Sequence, residues 1–362
     1  MRGARRSRRT GLAWALAAGG LLLLAPAGAH AGTFTPPNGK IFHGVSETGD
    51  VADYRSFTRT TRAHSAVSQS FFHWGVPLGT GALQRWRRTR TRGVLSLSTA
   101  PGGQPEEITP KAIAVGRGDT YMLSLNDSIS DSRQTAYIRL FPEMNGHWNP
   151  YSAFNANGTS RGADHSTRWF RKAWKRFAIV VRGGSRKTIN TKLRKLKLPR
   201  LLRARSNNAP IYKHNRVGRR LPKPRVALMW VPQTSGSPNV RGNRPGKYYP
   251  GNRYVDWVGA DAYAKFSNAT LWRKLGSFYR RYDSKPFVIG EYGPWDGDPG
   301  GAFTDRMFDW VRSHKRARML IYYRSVNATN IFNIDFYPSA LSVVRQALNG
   351  PRFMPFAPEY AG

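Results

Sequence analysis

Two glutamates of this 362-residue chain stand where a carboxylate can do chemistry. Tyr137 to Trp148 reads YIRLFPEMNGHW, and Phe287 to Gly293 reads FVIGEYG. Each begins as a short apolar run of strand length, reaches a glutamate, and breaks at glycine or asparagine. The other glutamates, Glu47, Glu106, Glu107 and Glu359, end no such run. Two convergent carboxylates are what cleavage of a glycosidic bond requires. Glu143 and Glu291 are therefore the candidate catalytic pair, and the remaining chain must bring them together.

The elements available for that task alternate. Candidate strands run Ile41 to Ser46, Val67 to Trp74, Val94 to Ser98, Ala136 to Phe141, Val226 to Val231, Val255 to Tyr263, Pro286 to Gly290 and Met319 to Tyr323. Helical patterns lie between them. Ser166 to Val181 carries Trp169, Ala173, Phe177 and Val180 at helical spacing, with Arg168, Arg171, Lys172, Lys175 and Arg176 on the opposite, solvent-facing side. Leu271, Leu275, Phe278 and Tyr282 make a second stripe; Phe303, Met307, Trp310 and Val311 make a third. A last helix opens at Pro338 and stops at Gly350-Pro351. Eight βα units predict an α/β fold, a single (β/α)8 TIM barrel over residues 32–362, whose reacting groups stand at the C-terminal ends of the strands.

Three stretches interrupt the rhythm. Residues 183–224 form a basic insertion dense in lysine and arginine, the segment best suited to an anionic polymer. Thr234 to Gly251 is rich in glycine and proline and should border the barrel mouth. The tail after Pro351 is expected to pack along the surface, and Arg117-Gly118-Asp119 reads as a turn.

The ends and the composition bound the setting. MRGARRSRRT, the apolar Leu12 to Leu24 and Ala29-His30-Ala31 make residues 1–31 an expected signal peptide, so the mature protein is expected to be secreted, with association to the cell wall as a second expected location. No later segment is long and apolar enough to span a bilayer. The chain has no cysteine, which removes disulfides and thiolate chemistry. The formal net charge of +38 fits either a solvated arginine-rich surface or adhesion to an anionic cell-wall polymer, and no specific nucleic-acid partner follows from it. A monomer is expected. The histidines show no metal-ligand spacing, so neither a metal nor another cofactor is expected.

Taken as a set, certain residues resemble glycoside hydrolase family 26, secreted β-mannanases and related endo-glycanases built on retaining (β/α)8 barrels. They are Arg139, Glu143-Met144-Asn145-Gly146 with Trp148, Trp230 and Pro232, Tyr249-Pro250-Gly251, Tyr254 to Gly259, Asp261-Ala262-Tyr263, and Lys285-Pro286-Phe287 through Glu291-Tyr292-Gly293. The resemblance implies that Glu143 is the acid/base, Glu291 the nucleophile, and Tyr263 the tyrosine that orients the nucleophile. Arg139, Trp148, Trp230, His73, Trp74 and Tyr323 complete the expected substrate-binding set, the tryptophans because indole faces stack on sugar rings. In retaining enzymes the carboxyls lie about 5 to 5.5 Å apart. At ~5 Å and an effective dielectric of 20, Glu291 would repel an ionised Glu143 by roughly 3 kcal/mol and keep it protonated.

The sequence departs from the family pattern in two places. Pro142 precedes the acid/base where many members carry histidine, and Tyr322 or Tyr323 replaces a tryptophan at the end of the eighth strand. β-1,4-Mannan leads as the implied polysaccharide, with mixed-linkage β-glucan and β-1,3-xylan as alternatives. A carbohydrate-binding barrel without turnover and a basic surface adhesin are the rival readings.

Overall fold

The computed structural model describes residues 31–46, 49–201, 220–324 and 331–361. Residues 1–30 of the expected signal peptide and residues 202–219 of the basic insertion lie outside the described residues. All eight expected strands form: β1 (Ile41–Val45), β2 (Val67–His73), β3 (Arg92–Ser98), β4 (Ala136–Leu140), β5 (Val226–Trp230), β6 (Trp257–Tyr263), β7 (Phe287–Gly293) and β8 (Ala317–Tyr322). Every strand pairs in parallel with its chain neighbour, and β8 returns to β1, so the sheet closes. Parallel neighbours need a crossover. It is supplied by α1 (Val51–Thr61), α2 (Thr80–Arg88), α3 (Asp119–Ser132), α4 (Thr167–Val181), α5 (Pro245–Tyr248), α6 (Ala269–Arg281) and α7 (Ala302–Ser313), and α8 (Pro338–Leu348) follows the last barrel strand. Among the described residues no helix is long and apolar enough to cross a membrane.

Strand alternation sorts the side chains into two cores. Phe42, Val67, Val94, Tyr137, Met229 and Val288 pack together inside the barrel. Ile138, Leu140, Leu228, Val258 and Ile289 join the layer between strands and helices. Helix starts are fixed by side chains that accept otherwise orphaned N–H groups: Asp50 from Asp53, Ser166 from Trp169 and Asn268 from Leu271.

Three expectations are corrected. Arg117-Gly118-Asp119 is a helix start, since Gly118 caps α3 and Asp119 is its first residue. Arg176 does not face solvent: it is fully buried and pairs with Asp119 at 2.6 Å, while the insertion folds back so that the Pro199 carbonyl accepts from its guanidinium at 2.8 Å. The tail does more than lie on the surface. Phe353–Met354 adds a short parallel strand, β9, beside β1, and Ala357 joins Phe34 in the inner core.

Glu359 in that tail binds Arg92, a cation only 4% exposed, at 2.7 and 2.8 Å. Burial alone would raise the Glu359 carboxyl pKa, but the hydrogen bonds and charge of Arg92 outweigh it and hold it below the usual range. A depressed carboxylate stabilises above its unfolded pKa and loses that stabilisation as pH falls through the folded one. Glu359→Gln is expected to cost about 1 kcal/mol at neutral pH, after allowing for the partly exposed carboxylate, a cost that vanishes as pH falls through the depressed carboxyl pKa, measured by urea unfolding.

Candidate active site

The β4 end presents Glu143 through an unusual backbone. Phe141 and Glu143 both adopt left-handed conformations, each with φ 49°. Side chains rarely do so, and such strain persists only where the surroundings impose it. Here the Glu143 N–H donates to the Val231 carbonyl at 2.9 Å, Asn149 donates to the Glu143 carbonyl at 3.0 Å, and Tyr151 donates to the Pro142 carbonyl at 2.7 Å. The turn thereby aims Glu143 into the mouth, where it is half-buried.

Glu291 reaches the same mouth by a different device. Phe287 and Ile289 pack outward and Val288 inward, so strict alternation would send residue 291 toward the helices. A bulge intervenes: Ala260 pairs with Ile289 but Asp261 pairs with Glu291, leaving Gly290 as the extra residue. Glu291 consequently turns inward. Gly290 must be glycine, because a Cβ there would stand 2.8 Å from Asp261 Oδ1 and 3.4 Å from Arg139 Cζ. Gly290→Ala is expected to cost about 1 to 3 kcal/mol in chemical unfolding and to lower activity further by displacing Arg139.

Arg139 on β4 and Asp261 and Tyr263 on β6 complete the cluster. Arg139 donates one guanidinium nitrogen to Glu291 and the other to Asp261, and the Tyr263 hydroxyl donates to the second Glu291 oxygen. Burial works against the Arg139 cation, but Asp261, Glu291 and Glu143 outweigh it and hold the guanidinium charged. Burial, followed by Glu291, pushes the Tyr263 hydroxyl pKa well up, so it remains a donor. Asp261 also lies well above the usual carboxylate range, through burial first, with Glu291 and Glu143 adding to it against Arg139.

Glu143 is raised as well, first by burial and then by the Glu291 charge, against Arg139 and the hydrogen bonds from Gln233 and Trp148. Those bonds measure 3.2 Å from Gln233 Nε2 and 3.3 Å from Trp148 Nε1. Glu143 is therefore a carboxyl suited to donate a proton, facing a carboxylate held by Arg139 and Tyr263.

Both glutamates open into one cleft of about 1370 Å³. Of the expected substrate-binding residues, Arg139, Trp148, Tyr263, His73 and Tyr323 line it. Trp148 lies at the lip, 50% exposed, with its ring over Gly146, where a Cβ would come within 2.4 Å of the indole. Of the two tyrosines at the β8 end, Tyr323 enters the cleft, whereas Tyr322 turns outward and donates to the Phe332 carbonyl.

Trp230 and Trp74 are corrections. Trp230 is fully buried among Tyr249, Phe278 and Tyr282, because the strand face opposite Met229 looks toward the helices. Trp74 is buried against Tyr121, Phe141 and Phe177. Neither touches the cleft.

Sequence reasoning gave no site role to Asp261, Gln233, Trp295 and Phe332, all of which line the cleft. Asp261 could have been found, since it stands two residues before Tyr263 on the same strand face. The others sit on loops whose path no periodicity reports.

No protein-family model matches the chain, and no curated protein matches it in sequence. Among solved structures it is similar to GH26A from Muricauda sp., at 14% identity and TM-score 0.52, over 88% of this chain and 92% of that one. A double mutant of the Cellulomonas fimi endo-beta-1,4-mannanase aligns at 12% identity and TM-score 0.55, over 88% and 72%. The GH26 domain of an endo-beta-mannanase/endo-beta-glucanase from Prevotella bryantii aligns at 12% and 0.53, over 88% and 91%. Identities this low speak for architecture, and the chain accordingly has the (β/α)8 fold that these solved structures share.

Proposed function

We propose that this protein is a glycoside hydrolase of family 26 that cleaves internal β-linkages of a polysaccharide with retention of configuration, β-1,4-mannan being the leading substrate. One observation carries the reading: a carboxyl whose pKa is raised by burial and a neighbouring charge shares a cleft with a carboxylate fixed by Arg139 and Tyr263. In the first step a Glu291 oxygen bonds to the anomeric carbon, the glycosidic C–O bond breaks, and the Glu143 proton goes to the departing oxygen. In the second, Glu143 takes a proton from water, the water oxygen bonds to the anomeric carbon, and Glu291 leaves. The similar structures include proteins named as mannanases, which supports the choice of mannan. The N-terminal segment supports export.

The test is a panel of mannan, mixed-linkage glucan and β-1,3-xylan, assayed for reducing ends and, by NMR, for the first-formed anomer. New reducing ends with the β-anomer first are expected from one member. No turnover on any, or the α-anomer first, overturns the reading.

The pH profile provides a further check. A raised pKa keeps the acid loaded to higher pH, so kcat/KM should fall as pH rises through it. The same shift makes the folded state hold a proton that the unfolded chain releases, so stability also declines as pH rises above the free-glutamate range. Glu143→Gln is expected to abolish the alkaline limb and slow hydrolysis by about 10² to 10⁴, with less loss on an aryl glycoside whose leaving group needs no proton.

A further inference from the structure

A closed parallel barrel has two distinct ends, one where the strands enter and one where they leave. The charge is divided between them. Every connection leading into a barrel strand carries at least one Lys or Arg, from Lys40 before β1 and Arg62 before β2 to Lys285 before β7 and Arg316 before β8. The loops leaving β1, β2 and β7 carry none, and across all the loops leaving strands acidic residues outnumber basic ones.

Helix C-termini point at the entry end and attract cations, which accounts for part of this pattern. Three features go beyond it. Arg62, Arg90 and Arg133 occupy left-handed positions with φ 56°, 52° and 56°, where glycine would sit without strain. Like charges are crowded rather than spread: after burial, Arg182, Arg253 and Lys223 all act to push the Lys192 ammonium pKa down. Finally, backbone carbonyls hold several of the guanidinium groups in place without cancelling their charge. Arg316 donates to the carbonyls of Tyr279, Tyr282 and Lys285 at 2.7 to 3.0 Å, and Arg318 to those of Lys40 and Pro37 at 3.0 and 2.7 Å.

We propose that the strand-entry end of the barrel docks an acidic polysaccharide, leaving the carboxylate-bearing mouth at the other end free. The inference does not depend on the hydrolase reading, because it concerns the opposite end of the molecule. Acidic sugars suit this end better than nucleic acid does. Single-stranded bases need aromatic platforms, and among the described residues the exposed aromatic side chains Phe71, Trp148, Phe266 and Phe336 all belong to the strand-exit end. Uronate or sulfate groups along a polymer need only a fixed array of cations.

The experiment measures binding of the full chain to polygalacturonate and dextran sulfate, with neutral dextran and duplex DNA as comparisons. One variant combines Arg62→Gly, Arg133→Gly, Lys192→Gln and Lys223→Gln at the entry end. A second removes as many charges from the first two turns of α1, α4, α6 and α7, as Arg55→Gln, Arg168→Gln, Arg273→Gln and Arg306→Gln. The wild type should bind at least one acidic polymer in a salt-dependent way, the tighter of the two naming the acidic group. The entry-end variant should lose about tenfold or more in affinity with its melting temperature kept, and the second variant no more than about twofold. Equal losses in both variants would reduce the effect to net charge and overturn the proposal. So would absence of binding to both acidic polymers, or tighter binding to DNA that the entry-end variant loses.

Discussion

Glu291→Gln is expected to reduce polysaccharide hydrolysis by about 10⁴ or more, which a reducing-end assay over long incubation measures. An amide offers no charged oxygen to the anomeric carbon, so no glycosyl-enzyme forms. The fold should tolerate the change. The amide oxygen can still accept from Arg139, and the Tyr263 hydroxyl can rotate to accept from the amide nitrogen in place of donating to an oxygen. Arg139 keeps Asp261 as a partner. A melting temperature near that of the wild type, beside lost turnover, would assign Glu291 to chemistry. Activity above about a tenth of wild type would remove it from the nucleophile's role.

Arg139→Met should damage stability as well as catalysis. The guanidinium is completely buried and is the shared partner of Glu291 and Asp261. Removing one member of a buried ionic cluster typically costs about 3 to 5 kcal/mol, because the remaining charges lose compensation without regaining water. The carboxyls can relieve part of this by binding protons. Asp261 and Glu143 already titrate above the usual range, and without the arginine both should rise further. A folded state that holds protons the unfolded chain has released loses stability as pH rises. The deficit measured by urea unfolding should therefore be larger at pH 8 than at pH 5. Arg139→Lys should recover little of it, since a single ammonium does not span two carboxylates as a planar fork does. A pH-independent deficit of a few tenths of a kcal/mol would show that Arg139 does not hold the cluster together.

Much of this architecture was legible because it depends on short-range pattern. All eight strands appear where apolar runs placed them, and the C-terminal helix opens at Pro338 as its sequence suggests. Both glutamates were recognisable from a glutamate at the end of an apolar run. Trp74 and Trp230 mark the limit of that logic. Each stands at or just past a strand end, as Trp148 does, yet both face the helices; residue type near a strand terminus does not specify which way the backbone turns.

The amino-acid sequence by itself determined the alternation of strands and helices, the choice of two candidate carboxylates at strand ends, and the excess of positive charge, because periodicity and composition are local properties. The tertiary structure decided which side chains meet. The inward aim of Glu291 depends on a one-residue mismatch with β6 at Gly290, and register between strands is a relation that neither strand encodes alone. The positions of Asp261 beside Arg139 and Gln233 beside Glu143 depend on the same closure. The segregation of cations to one end is likewise a consequence of topology, since connections scattered along the chain become a single face only when every strand runs the same way.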